Sequence, residues 1–256
     1  MSTSSRLERA RHWSKKAGMI ARGQYGEVAR ERKADNSLVT ETDREIERFL
    51  RNRIIEQYPT DGIVGEEQDS RKTDSSFTWY LDPIDGTAAF STRLHVWSVS
   101  MGIVRNGKPS AGVLYTPLLR EQFYGPKDNG IHRNGERIQP ATDYDWDNES
   151  LLLVPSDAHR RYEITFPGKC RCLGSTAYHM AMVAEGRAVG ALLGNVRLWD
   201  MAGILGATST ESLCLIGIDG SRIDIGDFLE GDRCKQPAVF APESTIDQLT
   251  ERINSQ

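Results

Sequence analysis

Histidine and cysteine are scarce in this chain, and neither is arranged for chemistry. The five histidines show no His-x-x-x-His or Glu-x-x-His spacing, which argues against a histidine-based metal or catalytic site. The four cysteines are Cys170, Cys172, Cys214 and Cys234. Only Cys170-x-Cys172 is a close pair, and no second pair completes a zinc site, so all four read as reduced structural thiols. No apolar run approaches the ~20 residues a membrane helix needs. Residues 1–10 are polar and lack the apolar core of a signal peptide, so the expectation is a cytoplasmic protein with no membrane partner. A surplus of positive charge is missing too. The 32 Lys and Arg against 36 Asp and Glu leave a net charge of −4, with both signs interspersed, which gives no basic nucleic-acid surface and no acidic disordered tail. Repeats and low-complexity runs are absent. What remains, 38% apolar residues and 23 glycines in 256, supplies an ordinary core for one large domain or two closely joined halves.

Periodicity orders the elements. Leu7, Ala10, Trp13, Ala17 and Ile20 recur at helical spacing. The charged segment 30–37 reads as an exposed hairpin. Ile46, Phe49, Leu50 and Ile54 form a second helical stripe, with Thr40 as N-cap and Asp43 in the first turn. Residues 62–65 read as a short buried strand delivering Glu66 and Glu67. Strands are expected at 96–104, 111–115, 121–124 and 130–138, with Asn106-Gly107 and Asn134-Gly135 as hairpin turns. The acidic stretch 143–148 is the expected boundary between an N-terminal half (1–145) and a C-terminal half (146–256). The second half alternates: strands at 151–154, 169–173, 188–193 and 212–218, helices at 175–185, 199–208 and 246–253. That order suits layered sheets with helices between them.

The most informative segment is residues 79–90, Trp-Tyr-Leu-Asp-Pro-Ile-Asp-Gly-Thr-Ala-Ala-Phe. Asp82 and Asp85 stand three apart around a proline, after an apolar run. Crowded carboxylates repel unless a cation lies between them, and hard oxygen ligands suit Mg²⁺. Gly86 and Thr87 lie where a turn would feed a helix, whose free N–H groups favour phosphate. Read alone, Asp-Pro-x-Asp-Gly is also an ordinary turn.

The segment resembles the W-x-x-D-P-[IL]-D-G-T signature of the inositol monophosphatase family, through Trp79, Asp82, Pro83, Ile84, Asp85, Gly86 and Thr87. Three further stretches match in family order: Val39-Thr40-x-x-Asp43, Gly65-Glu66-Glu67, and Trp199-Asp200-x-Ala202-Gly203. Gly174-Ser175-Thr176-Ala177 adds a weaker fifth, like the family's G-[ST]-x-A helix start. Each has a plain alternative as a cap or acidic loop; Asp200, for one, reads equally as a helix N-cap. Their joint occurrence in order carries the resemblance. The chain departs from the family with Ala88-Ala89 where Asn often follows the Gly-Thr pair, and with residues 209–212 where Glu-Ala-Gly-Gly is usual.

The resemblance implies an α+β fold, a layered αβαβα sandwich of the sugar-phosphatase type, in a homodimer. It implies two or three Mg²⁺ ions per site. Glu66, Asp82 and the Ile84 carbonyl would hold one ion; Asp82, Asp85 and Asp200 would hold another. Asp43 and Thr87, with Glu66, are the expected catalytic residues, orienting and deprotonating a water that attacks directly, since no covalent nucleophile is evident. Gly86, Thr87, Ser175, Thr176 and Asp200 are the expected substrate contacts. Lys33 reads equally as a site residue or a solvated lysine. The implied substrate is a small phosphate monoester, inositol monophosphate first. Fructose 1,6-bisphosphatase, 3′(2′),5′-bisphosphate nucleotidase and histidinol-phosphatase activities are alternatives on the same core, and a silent regulatory protein is a remoter one. In animal relatives a glutamate seven residues before the Trp-Asp aspartate contacts inositol hydroxyls; the corresponding residue here is Leu193, followed by Gly194-Asn195.

Overall fold

The computed structural model describes residues 1–127, 129–138, 146–209 and 212–255. Helix α1 (Thr3–Gln24) buries Leu7, Ala10, Trp13, Ala17 and Ala21; Ile20, read into that stripe, is only half-buried. Strands β1 (Glu31–Arg32) and β2 (Leu38–Val39) form the expected charged hairpin. Thr40 then caps α2 (Glu41–Gln57), which buries Ile46, Leu50 and Ile54 beside α1.

A seven-stranded sheet follows. Strand β3 (Gly62–Gly65) is its edge and runs parallel to β4 (Phe77–Asp85). After the single-turn helix α3 (Thr87–Ser91), strands β5 (Ser98–Arg105), β6 (Lys108–Thr116), β7 (Glu121–Pro126), β8 (His132–Arg133) and β9 (Glu136–Arg137) add in chain order as antiparallel neighbours. Asn106-Gly107 and Asn134-Gly135 turn with positive φ at both residues, which explains why asparagine and glycine stand there.

The second half supplies β10 (Leu151–Leu153), α4 (Ala158–Arg161), β11 (Tyr162–Ile164), β12 (Lys169–Arg171), α5 (Thr176–Ala184), β13 (Gly190–Leu193), α6 (Leu198–Leu205), β14 (Leu213–Gly217), a 3-10 turn at Ile225–Phe228, β15 (Ala238–Pro242), α7 (Ile246–Thr250) and β16 (Ile253–Ser255). Five of these strands form a mixed sheet in the order β12-β10-β13-β15-β14, and β11 pairs with β16. The C-terminal helix expected over 246–253 stops at Thr250, because Ile253 enters β16 and buries its side chain there. The helix expected over 199–208 ends at Leu205. Of the proposed boundary at 143–148 and the departure at 209–212, residues 143–145, 210 and 211 lie outside the described residues.

Three apolar clusters stack these elements into five layers. Helices α1 and α2 cover one face of the large sheet with Trp13, Ile46 and Leu50 against Trp79, Leu81, Met101 and Val113. Helices α5 and α6 fill the space between the sheets, with Tyr80, Leu114 and Phe123 on one side and Leu153, Leu193 and Phe240 on the other. Helix α7 covers the far face of the smaller sheet through Ile246 and Leu249, which meet Leu152, Leu192 and Val239. Strand alternation assigns Leu152 and Leu153, or Val239 and Phe240, to opposite layers. The order is the α-β-α-β-α sandwich.

Helix α6 lies unusually low on the large sheet. A Cβ on Gly112 of β6 would fall 2.0 Å from the Gly203 carbonyl oxygen, so helix and strand meet backbone to backbone. Helix α5 carries a different constraint. His179 is buried, and its Nε2 accepts from the Leu173 N–H at 2.9 Å. Burial pushes its pKa down to about 4. The folded value lies below the unfolded one, so this contribution to stability is present above pH ~6.5 and is lost as pH falls through about 4. Denaturant titrations at pH 7 and pH 4.5 should show His179→Gln losing less stability on acidification than the wild type, by roughly 2–3 kcal/mol. Equal losses would mean that His179 is not the responsible group.

Candidate active site

Four segments bring carboxylates to one end of the large sheet, and a fifth, the start of α5, supplies donors to one of them. Pro83 cannot donate to the ladder, and the β4–β5 register shifts between Asp82 and Asp85. That irregularity lies where the strand carries Asp82, the Ile84 carbonyl and Asp85. Gly86 then adopts φ 94°, and a Cβ there would lie 2.3 Å from the Gly174 carbonyl oxygen. Only glycine fits this crossing of the two halves.

Thr87 follows, buried at the start of α3. Its hydroxyl lies 3.1 Å from Asp43 Oδ1 and 3.1 Å from the Ile84 carbonyl oxygen; one proton serves one acceptor at a time. Asp43 is fixed from its other side, where Oδ2 accepts from the Thr40 N–H at 2.8 Å and from the Thr40 hydroxyl. Burial pushes the Asp43 carboxyl up to about 6 despite those hydrogen bonds.

Asp85 joins the halves. It accepts from the Ser175 hydroxyl, from Thr176 N–H at 3.1 Å and from Ala177 N–H at 2.7 Å, so it sits on the first turn of α5. Ser175 is the N-cap of that helix and accepts from Tyr178 N–H at 3.0 Å. Asp85 is pushed up to about 6 by burial, which outweighs these three donors. Asp200 is not the N-cap of α6 that its sequence context allowed. It stands three residues further in and reaches back to the Arg197 N–H at 2.7 Å.

Glu66 opens the loop after β3. Lys33, from the β1–β2 turn, places Nζ 2.9 Å from Glu66 Oε1 and 2.7 Å from Glu67 Oε1, so it is a site neighbour rather than a solvated side chain. Burial works against the Lys33 charge, but the two glutamates more than offset it and raise its pKa. Behind them stands Glu47, which no sequence motif marks. It is fully buried, accepts from the Glu67 N–H at 2.7 Å and pairs with Arg51 at 3.2 Å, anchoring the loop that presents Glu66. Trp79, the first residue of the motif, faces away from the site: its Nε1 donates to buried Asp61 at 2.8 Å.

Asp82 is the centre of the group. It is almost fully buried, and its Oδ1 has no hydrogen-bond partner. Burial, then the charges of Glu66, Asp85, Asp200 and Asp43, raise its pKa well above the usual carboxylate range. Asp200 is raised by burial and then by Glu66 and Asp85. Among the described residues no three acidic groups are drawn close enough to enclose an ion by themselves. Mutual repulsion keeps such groups apart, and Lys33 already engages Glu66. The donor set nonetheless fits a hard divalent cation: a buried, unpartnered carboxylate oxygen ringed by four further acids gains what it lacks from positive charge.

The sequence pattern of the inositol monophosphatase family matches residues 3–205. A fructose-1,6-bisphosphatase/inositol-1-monophosphatase of Aquifex aeolicus is 27% identical over 89% of this chain and 90% of its own length. The structure superposes on an inositol monophosphatase of Thermotoga maritima with a TM-score of 0.82 at 26% identity, covering 96% of each chain. It also shares the fold of an IMPase/NADP phosphatase complexed with Mg²⁺ and phosphate, with a TM-score of 0.79 at 18% identity over 94% of this chain and 91% of that one.

Proposed function

The chain belongs to the inositol monophosphatase family, whose members are phosphoric monoester hydrolases, and from that premise we propose that it hydrolyses a small sugar or polyol phosphate with Mg²⁺. The observation that carries the metal is the buried, unpartnered Asp82 Oδ1 among Glu66, Asp85, Asp200 and Asp43. Glu66, Asp82, Asp85, Asp200 and the Ile84 carbonyl are the residues that would hold the ions. Bound divalent ions there would neutralise the phosphate and make water a stronger nucleophile at neutral pH.

The chain's own part is positioning. With its proton on Asp43, the Thr87 oxygen is free to accept from a water, which the Thr87–Asp43 pair would orient and relieve of a proton. Gly86 and the first turn of α3 would receive the phosphate, and Ser175 and Thr176 would act on it through the Asp85 carboxylate they hold. The alcohol half is less defined. Leu193 is fully buried at the end of β13 and offers no carboxylate to an inositol hydroxyl, so inositol 1-phosphate competes with other small esters.

Phosphate release from inositol 1-phosphate, fructose 1,6-bisphosphate, 3′-phosphoadenosine 5′-phosphate and histidinol phosphate should require Mg²⁺ and stop with a chelator. At Mg²⁺ about 100-fold above its Kd, the protein should gain about 2.7 kcal/mol, a melting shift of roughly 5–10 °C for a chain of this size. Turnover indifferent to chelator, or no thermal shift with Mg²⁺, would overturn this reading.

A further inference from the structure

An anion already stands beside the carboxylate group, and it belongs to the chain itself. Asp35, in the β1–β2 turn, accepts from Arg233 Nη2 at 2.6 Å, and Arg197 Nη2 lies 3.9 Å from the same oxygen. The two arginines come from segments that run side by side: Arg197 and Arg233 form a backbone bridge, and Cys234 N–H donates to the Val196 carbonyl at 2.8 Å. Arg197 is tied to the catalytic end of the molecule, since its own N–H holds Asp200. Its Nη1 donates to the Gly231 carbonyl, which aims the guanidinium. All three charged side chains are about one-third exposed, so the cluster opens to solvent.

The hairpin therefore spans the site. Lys33 rests on Glu66 and Glu67 at one side, and two residues later Asp35 rests on the arginines beside Asp200. Ser37 presets the Asp35 carboxylate, through its hydroxyl at 2.6 Å and its N–H at 3.1 Å. Ser37 and then Arg233 hold that carboxyl down at about 2, so it is fully charged at neutral pH. Two guanidinium groups face the Asp35 carboxylate, Arg197 also acting on Asp200, and their planar forks suit carboxylate or phosphate oxygens.

We propose that Arg197 and Arg233 form a subsite for a second anionic group of the substrate, a phosphate or a carboxylate, and that Asp35 occupies this subsite until substrate displaces it. The inference rests on the phosphatase reading and narrows its substrate class to small phosphate esters that carry a second anion. Displacing Asp35 also frees the hairpin tip that carries Lys33, so binding of such a substrate and rearrangement over Glu66 are linked.

The test compares kcat/KM on fructose 1,6-bisphosphate (second phosphate), 2-phosphoglycerate (carboxylate) and inositol 1-phosphate (no second anion). Arg233→Ala should lower the ratio of either ester with a second anionic group to inositol 1-phosphate by about 10–100-fold, mainly through KM, while Asp35→Asn should raise it severalfold. The ester that responds more identifies which anion the subsite takes. If both variants depress all three esters alike, the Asp35–Arg233 pair is only a latch for the hairpin and the proposal is wrong. Thermal stabilisation by fructose 1,6-bisphosphate with Mg²⁺ gives a readout independent of turnover: it should weaken in Arg233→Ala. A wild type that is stabilised but hydrolyses nothing would refute the phosphatase reading and leave the subsite standing, whereas equal stabilisation of wild type and variant would refute the subsite.

Discussion

Asp82→Asn should raise the melting temperature of the metal-free protein while removing its activity. The wild-type carboxylate is buried, has one oxygen without a partner and faces four other acidic groups. Asparagine keeps the shape, removes the charge and gives the neighbouring carboxylates a donor. Relief of one uncompensated buried group is worth about 2 kcal/mol. The pH dependence follows from the direction of the shift. A carboxyl whose folded pKa lies above its unfolded value of ~3.9 destabilises the fold above that value, so the advantage of asparagine grows as pH rises from about 4 and disappears below it. Added Mg²⁺ should reverse the order, because the wild type gains binding energy that the variant has lost. Loss of a ligand that helps stabilise transition-state charge by several kcal/mol corresponds to an activity loss on the order of 10³-fold. Melting curves in chelator and in Mg²⁺, read beside phosphate release, check both halves; a variant that is less stable in chelator would contradict the electrostatic account. Asp85 is a poorer choice, because its substitution also releases three donors of α5.

The second large effect is far from the chemistry. Asp61→Ala should destabilise the protein by about 3–5 kcal/mol, the scale of stranding a buried charge. Asp61 is fully buried and accepts from Arg6 Nε and Nη2, each at 2.7 Å, and from Trp79 Nε1 at 2.8 Å. Arg6 is itself buried, with its guanidinium over the Tyr58 and Phe77 rings. Removing the carboxylate leaves that cation without a counter-charge, only its Nη1 still bound by the Met1 and Ser2 carbonyls, and an indole N–H without its acceptor. For 256 residues the melting temperature should fall by roughly 10 °C. The double variant Arg6→Met/Asp61→Leu should recover much of the loss, since replacing both partners by apolar groups removes the stranded charge. A single-variant loss below about 1 kcal/mol would show that the pair is not what seats α1 on the sheet.

How far these features could be read from sequence depends on their range. The Thr40–Asp43 cap, the Asn-Gly hairpins and β3 are specified within a few residues and appear where expected. The C-terminal helix is shorter than its sequence pattern because apolar residues at 246, 249 and 253 fit a helix as well as they fit a turn of helix followed by a strand, and only the partner β11 decides between them. Strands β11 and β15 leave no clear local pattern for a similar reason: β11 is three residues long, and β15 takes its place between strands distant in sequence. In the site, the motif residues are legible as types, and Asp43 with Thr87 as a pair through the family resemblance, but most of their contacts are not. That Asp85 holds the α5 terminus, that Glu47 is buried under Glu67, and that Lys33 meets Glu66 are contacts between segments far apart in the chain. In the sequence, Trp79 is only a matched position of the family signature. Its role in the fold is to satisfy Asp61, which no local pattern announces.

The backbone contact between Gly112 and Gly203 has a mechanical consequence. Side chains that separate most helices from their sheets can change rotamer and absorb a displacement, but two backbones in contact have nothing to adjust. Asp200 is thus mounted rigidly on the sheet whose strand β4 carries Asp82, whereas Glu66 sits on a loop held by ion pairs. Compliance lies on one side of the site. A cation larger than Mg²⁺, which seeks longer bonds and more ligands, would have to be accommodated by movement of the Glu66 loop and the Lys33 hairpin, so discrimination by ion size would be set by those segments and not by the strand and helix opposite.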